Sequence, residues 1–148
     1  MVIVEKEYSK LSETDKRLYQ RGLIKKGNKD LNNEASSRGV RNFEKFTNAG
    51  YRGLYGGETA NDIAKRKGLR YREDILDNMG SEELISNLFS ISQTEAKLKN
   101  DNVKGENNAT FTHYEVGKKV RTTIEELGGT MPEDLPTPEK SLKEIENY

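Results

Sequence analysis

The sequence contains no cysteine, only one histidine and three prolines. The lack of cysteine excludes disulfides, thiolate metal sites and cysteine nucleophiles, and it suits a reducing compartment. No window approaches the roughly 18 apolar residues that a membrane helix needs, and the first eight residues are too short and too acidic for a signal peptide. We therefore expect a cytoplasmic protein with no membrane partner.

The chain also has no excess of charge of either sign, because its 148 residues include 25 basic and 25 acidic ones. A hydrophobic content of 32% is low and a charged content of 34% is high, yet the high net charge typical of disordered chains is absent. The chain is long enough to bury a core, and no Pro/Ser-rich segment divides it. We expect an N-terminal arm over residues 1–11, in which residues 2–4 are β-prone, and a single helical domain over residues 12–148.

Apolar periodicity and cap signals predict an all-α fold, a compact bundle of about six helices sharing one core. Ser12 caps a long amphipathic helix that ends near Gly39, and a short helix covers residues 41–47. Thr59, with Asp62 three residues later, caps a helix over residues 60–67.

Three more helices are predicted in the C-terminal half. Ser81 caps the first, whose apolar residues repeat at helical spacing and form the densest part of the core: Leu84, Ile85, Leu88, Phe89 and Ile91. A polar surface loop over residues 99–108 precedes a capping box formed by Thr112 and Glu115. Residues 130–137 form an extended, proline-containing connection, after which Pro138 opens the last helix.

The most distinctive stretch runs from residue 48 to residue 69. Its glycines at positions 50, 53, 56 and 57 suit tight turns, so we expect an ordered glycine-rich aromatic loop. Tyr51, Leu54 and Tyr55 give this loop apolar surface and make it a candidate site for protein interaction or self-association. The following segment, Thr59–Ala64 with Gly68, has partial helix-turn-helix character.

The sequence offers little for catalysis. His113 is expected in the first turn of a helix as a surface or locally hydrogen-bonded residue, and spacing builds no metal site around it. Adjacent carboxylates such as Glu82 and Glu83 are explained by the helix dipole. No phosphate-binding loop, nucleophile elbow or zinc-protease motif is present. We expect no enzyme, no cofactor and no metal.

Two basic clusters stand out in this neutral chain. The first comprises Lys65, Arg66, Lys67, Arg70 and Arg72 together with Tyr71, and the second comprises Lys118, Lys119 and Arg121. Such clusters can bind phosphates. The alternative is a solvated helix face balanced by nearby acids, and a pI of about 6.6 lies below that of most nucleic-acid-binding domains.

Three collinear runs resemble the C-terminal half of the bacterial DNA-damage-inducible protein D family: NFEKFTNAGYRGLYGGETANDIAKRKGL, DILDNMGSEELISNLFSISQTEAKLKNDNVKG and THYEVGKKVRTTIEELGGTMPEDLPTPEKSLKEIE. The resemblance covers about residues 11–146. It implies a non-enzymatic accessory protein of the SOS response whose partners are DNA, single-stranded or duplex, or a recombinase filament on single-stranded DNA.

Members of that family usually carry a further N-terminal domain, which resembles the DNA-binding domain of phage and baculovirus antirepressor-like proteins. This sequence lacks it, so we expect either a fragment or a natural short form. Two hypotheses follow. The domain binds DNA through the basic clusters, or it is a protein-interaction and self-association module without DNA affinity of its own.

Overall fold

A computed structural model describes residues 5–71 and 75–146, and within these ranges the regular structure is entirely helical. The seven α-helices of the described ranges are α1 (Glu5–Ser9), α2 (Glu13–Ser37), α3 (Phe43–Leu54), α4 (Ala60–Arg66), α5 (Ser81–Asn100), α6 (Glu106–Glu126) and α7 (Leu142–Glu146). Short 3-10 turns occur at Leu76–Asn78 and Pro132–Asp134. The all-α prediction is confirmed, whereas the β-prone residues 2–4 lie outside the described ranges.

Local side-chain caps explain where several helices begin. Ser12 Oγ accepts a hydrogen bond from the Asp15 backbone N–H at 3.1 Å and so starts α2. Thr59 and Asp62 form a complete capping box at the start of α4, as the sequence predicts. At α5 the predicted cap is wrong by one residue: Gly80 is the N-cap, and Ser81 instead binds the Glu13 carboxylate through its backbone N–H and its hydroxyl.

The four long helices form the body of the fold. Helix α2 packs along α5, α3 packs along α6, and α5 and α6 lie side by side. The fully buried apolar side chains at their centre come from α2, α3, α4, α5 and the connecting segments: Ile24, Leu31, Val40, Phe46, Leu54, Ile63, Met79, Leu84 and Leu98. This single core is what the shared apolar periodicity of the helices predicts.

Buried Arg17 ties the connection before α5 and the C-terminal segment to α2. Its guanidinium donates to the backbone oxygens of Met79 (2.9 Å), Asp77 (2.9 Å) and Lys140 (3.0 Å). One turn further on, Arg21 forms a 2.9 Å ion pair with the Asp77 carboxylate. Because Arg17 is only 3% exposed, its donors would be left unsatisfied without these oxygens.

Glycines set the close crossing of α3 and α6. A Cβ at Gly53 would lie 2.2 Å from the Tyr114 backbone oxygen, and one at Gly117 would lie 2.8 Å from the Gly50 backbone oxygen. No residue with a side chain fits such an approach. The prediction of a glycine-rich loop here is therefore corrected, because residues 43–54 are one continuous helix. Only Gly56 and Gly57 form a turn, with φ of 65° and 107°.

Other boundaries and faces also differ from the predictions. Helix α6 begins at Glu106, so Thr112 and Glu115 lie inside it and form no cap. The last helix begins at Leu142, where the Ser141 hydroxyl accepts from the Glu144 backbone N–H. On α5, Ile85 and Phe89 are 42% and 51% exposed, and the polar residues Glu83, Asn87, Ser90 and Thr94 face the core instead.

Across the described ranges, none of the helices has a segment both long and apolar enough to span a bilayer.

Candidate nucleic-acid interface

Basic side chains from three helices meet around the turn at Gly56 and Gly57. We call this set the basic surface: Arg52 on α3, Lys65 and Arg66 on α4, and Lys118 and Arg121 on α6. All of them except Arg121, which is partly buried, are exposed. The surface joins the two basic clusters that the sequence shows about 50 positions apart.

Shared acidic neighbours show that four of these cations lie close together, and Lys118 lies beside the end of α3, where its backbone N would be 2.8 Å from a Cβ at Gly53. Hydrogen bonds from Thr59 lower the pKa of Asp62, and the nearby charges of Arg52 and Lys65 lower it further. Burial raises the pKa of Glu133, but the hydrogen bonds and charge of Arg121, with a smaller contribution from Arg66, hold that pKa below its usual value. One carboxylate thus links α3 to α4 and the other links α4 to α6.

Arg121 is held in place by several contacts. Its two terminal nitrogens donate to the two oxygens of the Glu133 carboxylate, each at 2.7 Å, and NH1 also donates to the Leu54 backbone oxygen at 3.2 Å. A methyl group at Gly56 would lie 2.9 Å from its Cζ atom. The bidentate pair fixes the guanidinium plane against the end of α3.

The cations of the surface differ in whether they have an acidic partner. Arg66 Nε binds Glu58 at 2.9 Å and Arg121 binds Glu133 at 2.7 Å, so these two arginines already have a carboxylate partner. Lys65, Lys118 and Arg52 form no ion pair with any residue in the ranges 5–71 and 75–146. These three groups are the cations of the surface most available to an external anion.

The structure places two other predicted residues outside the set of helical cations. Arg70 and Tyr71 are exposed, with the Arg70 guanidinium 5.2 Å from the centre of the Tyr71 ring, a cation–π distance. Arg72 lies outside the described residues. Lys119 is exposed on α6 on the side that faces α5. Conversely, sequence reasoning missed Arg52, because the predicted helix over residues 41–47 stops before the glycines.

Lys67 is not a surface cation. Its side chain is buried, and Nζ donates to Glu83 Oε1 at 2.9 Å, to the Asn78 backbone oxygen at 3.2 Å and to Thr137 Oγ1 at 3.1 Å. The placement of this lysine among the phosphate ligands is therefore corrected. In a helix-turn-helix, the residue at the position of Lys67 is usually apolar and buried. Lys67 is also buried here, but its ammonium group is stabilised by the ion pair with Glu83.

Glu83 continues this contact into a buried polar chain. Its second oxygen accepts from the Tyr55 hydroxyl, and that hydroxyl also accepts from Asn87 Nδ2 at 2.9 Å. Burial and the adjacent carboxylate raise the pKa of Tyr55 well above its ordinary value, so the phenol stays protonated. The chain joins the ends of α3 and α4 to the start of α5 and fixes the orientation of α4 under the basic surface.

Tyr51, Leu54 and Tyr55, which the sequence suggests as an interaction site, are largely buried. Leu54 and Tyr55 are each 1% exposed. Burial raises the pKa of Tyr51 to about 12, and its ring lies 6.0 Å from that of Tyr55. In this conformation the three residues stabilise the core, so we do not place an interaction surface on them.

His113 is buried in the middle of α6, not in its first turn. Its Nδ1 lies 2.9 Å from Thr94 Oγ1, its ring centre is 4.7 Å from that of Phe46, and a Cβ at Gly50 would overlap the ring. Burial lowers the pKa of His113 to about 4. The expectation of a hydrogen-bonded histidine holds, while that of a surface one does not. No group of three or more metal-ligating side chains occurs among the residues that the structure describes.

The helix-turn-helix interpretation is not supported by the fold. Helix α4 and the turn at Gly68, with φ of 72°, match the first half of the motif. In the described residues between Leu69 and Gly80, however, the only helical segment is the 3-10 turn Leu76–Asn78. The chain there returns to the core through Ile75 and Met79, which are 2% and 0% exposed.

Comparison with known proteins places the chain in a family. Residues 11–145 match the DinD C-terminal domain, so the chain belongs to that family. It is 50% identical over 146 residues to the DNA damage-inducible protein D of Escherichia coli strain K12. The match covers 97% of this chain and 53% of that relative, so the chain spans about half the relative's length. No solved structure matches it.

Proposed function

We propose that this chain acts in the bacterial DNA-damage response as a non-enzymatic accessory domain that binds DNA through the basic surface. The link to DNA damage rests on the 50% identity to a relative named for induction by such damage. The observation that carries the binding is the convergence of cations from α3, α4 and α6 around one exposed turn.

The chemistry of the surface fits phosphate contacts better than the reading of bases. Lysine ammonium groups bind phosphate oxygens as point charges, whereas arginines that recognise bases need an open guanidinium edge. Here Arg66 and Arg121 already bind carboxylates and shape the surface, and Lys65, Lys118 and Arg52 are open to phosphate. Phosphate contacts carry no sequence information directly, so the binding is expected to be indifferent to sequence.

The glycine turn adds to this fit. Gly57 has φ of 107°, and a Cβ there would meet nothing within 4 Å, so its backbone is uncovered. The Gly57 N–H already donates to the Arg52 backbone oxygen at 2.7 Å, so the turn gives a phosphate close approach without a side chain in the way but no free donor at Gly57. Because the whole chain is neutral, affinity depends on this local surface and should be weak at physiological salt.

The test is a titration of fluorescently labelled single-stranded and duplex DNA at low salt. The test variant replaces Lys65, Arg66 and Lys118 with alanine, and the control replaces Lys25, Lys26 and Lys29, three exposed lysines of α2. Both variants remove three positive charges. We expect the first to lose at least tenfold in affinity and the control to stay within about threefold of the unmodified chain.

Equal losses in the two variants would show that only net charge matters, and would contradict a defined surface. Absence of binding by the unmodified chain at low salt would reject DNA binding by this domain. It would then belong to the protein-interaction class, and a DNA-bound recombinase filament would be the next partner to test.

A further inference from the structure

The outer faces of α5 and α6 carry an apolar groove that the proposed DNA binding does not use. It has a volume of about 650 Å³ and lies between the two helices. Two phenylalanines line it, Phe89 on α5 and Phe111 on α6, and they are 51% and 62% exposed. Large apolar side chains so exposed, on the two sides of one groove, are typical of a contact surface.

The residues that line the groove are spaced as expected for the outward faces of two helices. On α5 and its C-cap the lining residues Phe89, Gln93, Lys97 and Asp101 recur every four positions, and on α6 the lining residues Phe111, Glu115, Lys119 and Thr123 do the same. Residues four apart lie on one face of a helix. The opposite faces carry the buried residues, such as Leu84 and Ala109, so the groove is on the outer side of the hairpin.

The charges at the rim are self-complementary. The α5 side carries Lys97 and Asp101, which form a 2.7 Å ion pair with each other, and the α6 side carries one lysine, Lys119, and one acid, Glu115. A partner of one charge sign, such as nucleic acid, would meet two unfavourable carboxylates here. A second copy of the same face offers both a lysine and an acid for each of these groups, and two neutral chains do not repel one another.

We infer that the α5–α6 face is an isologous interface between two copies of this chain. The phenylalanines of both copies would leave water together at its centre. Lys119 and Glu115 of each copy would pair across its edge, beside the Lys97–Asp101 pair of each chain. Two antiparallel hairpins stacked face to face form a four-helix layer, a packing in which exposed apolar stripes are commonly buried. The basic surfaces of the two copies stay outside this contact, since neither Lys65 nor Lys118 lines the groove.

The first test is the mass of the 148-residue chain in solution by light scattering at about 50 μM, well above a micromolar dissociation constant. We expect twice the monomer mass of 16.8 kDa. Replacing Phe89 and Phe111 with serine should give the monomer mass with an unchanged helical circular dichroism spectrum. The control is Leu127→Ser, since Leu127 is 81% exposed but does not line the groove.

A charge exchange tests self-recognition without touching the apolar centre. In one variant both rim lysines become glutamate (Lys97→Glu and Lys119→Glu), and in the other both rim acids become lysine (Asp101→Lys and Glu115→Lys). Each variant alone should be monomeric, because like charges then meet across the interface. An equimolar mixture of the two should regain the dimer mass, since every rim charge again finds its opposite.

Three outcomes would overturn the inference: an unmodified chain that is monomeric at 50 μM, a dimer that survives the phenylalanine changes, or charge variants that do not recombine on mixing. The first would leave the groove to a different protein. The DNA titration tests the basic surface, and the mass measurement tests the α5–α6 interface. A negative result in one experiment therefore does not decide the other.

Discussion

Lys67 Nζ lies 2.9 Å from Glu83 Oε1, and neither side chain has any solvent-exposed surface. The pair stands at the end of α4, the helix that carries Lys65 and Arg66, and continues through the Tyr55 hydroxyl to Asn87. A buried charge of this kind is tolerated only while its partner is present.

Replacing Lys67 with methionine should therefore lower the free energy of unfolding by about 3–5 kcal/mol, because it leaves the Glu83 carboxylate buried without its partner. The measurement is equilibrium urea denaturation. Lys65→Met, on the exposed side of the same helix, is the control and should change the stability by less than about 0.5 kcal/mol. If the two variants are equally stable, the ion pair is not formed as described.

Two glycine-to-alanine substitutions should change the free energy of unfolding in opposite directions. Gly22 lies in α2, where an added methyl group would meet nothing within 4 Å, so Gly22→Ala should stabilise the chain by up to about 1 kcal/mol. At Gly53 the same methyl would lie 2.2 Å from the Tyr114 backbone oxygen, so Gly53→Ala should destabilise it by about 1–3 kcal/mol or more. Thermal unfolding of both variants tests the α3–α6 crossing, and changes of the same sign would argue against it.

These two glycines also show how far sequence reasoning goes. Caps such as Ser12 and Thr59 act on backbone N–H groups three residues away, so the sequence predicts the starts of α2 and α4 correctly. Gly53 weakens a helix locally, and only its contact with α6, more than 60 positions away, explains why it is helical. Local propensity predicts a loop there, and tertiary packing overrides it.

The site was predictable in part for the same reason. The basic clusters are visible in the sequence, and Lys65, Arg66 and Lys118 do reach the surface. The burial of Lys67 could not be read from the sequence, because its partner Glu83 comes from a different helix. The outward face of α5 was misread because polar residues of a hydrogen-bonded chain occupy the core side in place of Ile85 and Phe89.

Stability should fall as the pH drops from about 6.5 to about 4, because burial lowers the pKa of His113 to about 4 in the folded chain. Above pH 6.5 the imidazole is neutral in both states, whereas below it the unfolded chain binds a proton that the folded chain does not. The loss attributable to this group at pH 4 is on the order of 3 kcal/mol.

The His113→Gln variant isolates that contribution, since carboxylates titrate in the same range and an amide does not. Free energies of unfolding at pH 7 and pH 4.5 should differ less in the variant than in the unmodified chain. An identical pH dependence in both proteins would mean that His113 is not buried as described.

Glu133→Gln should tighten DNA binding at low salt. The change removes the carboxylate that faces Arg121 and lies within reach of Arg66, and so makes the basic surface more positive. The expected gain is about fivefold, or roughly 1 kcal/mol for one charge near a surface. Glu139→Gln is the matched control, because it removes one exposed carboxylate whose charge does not act on Arg121 or Arg66. Equal gains would contradict a specific role for Glu133.

The most direct test of DNA binding by the basic surface is the slope of the logarithm of the dissociation constant for duplex DNA against the logarithm of salt concentration. Each phosphate contact contributes about 0.9 to this slope. We predict that Lys65→Ala and Lys118→Ala together reduce the slope by about 2, while Lys25→Ala and Lys26→Ala leave it unchanged. A slope that falls equally in both pairs, or that is flat in the unmodified chain, would contradict the account.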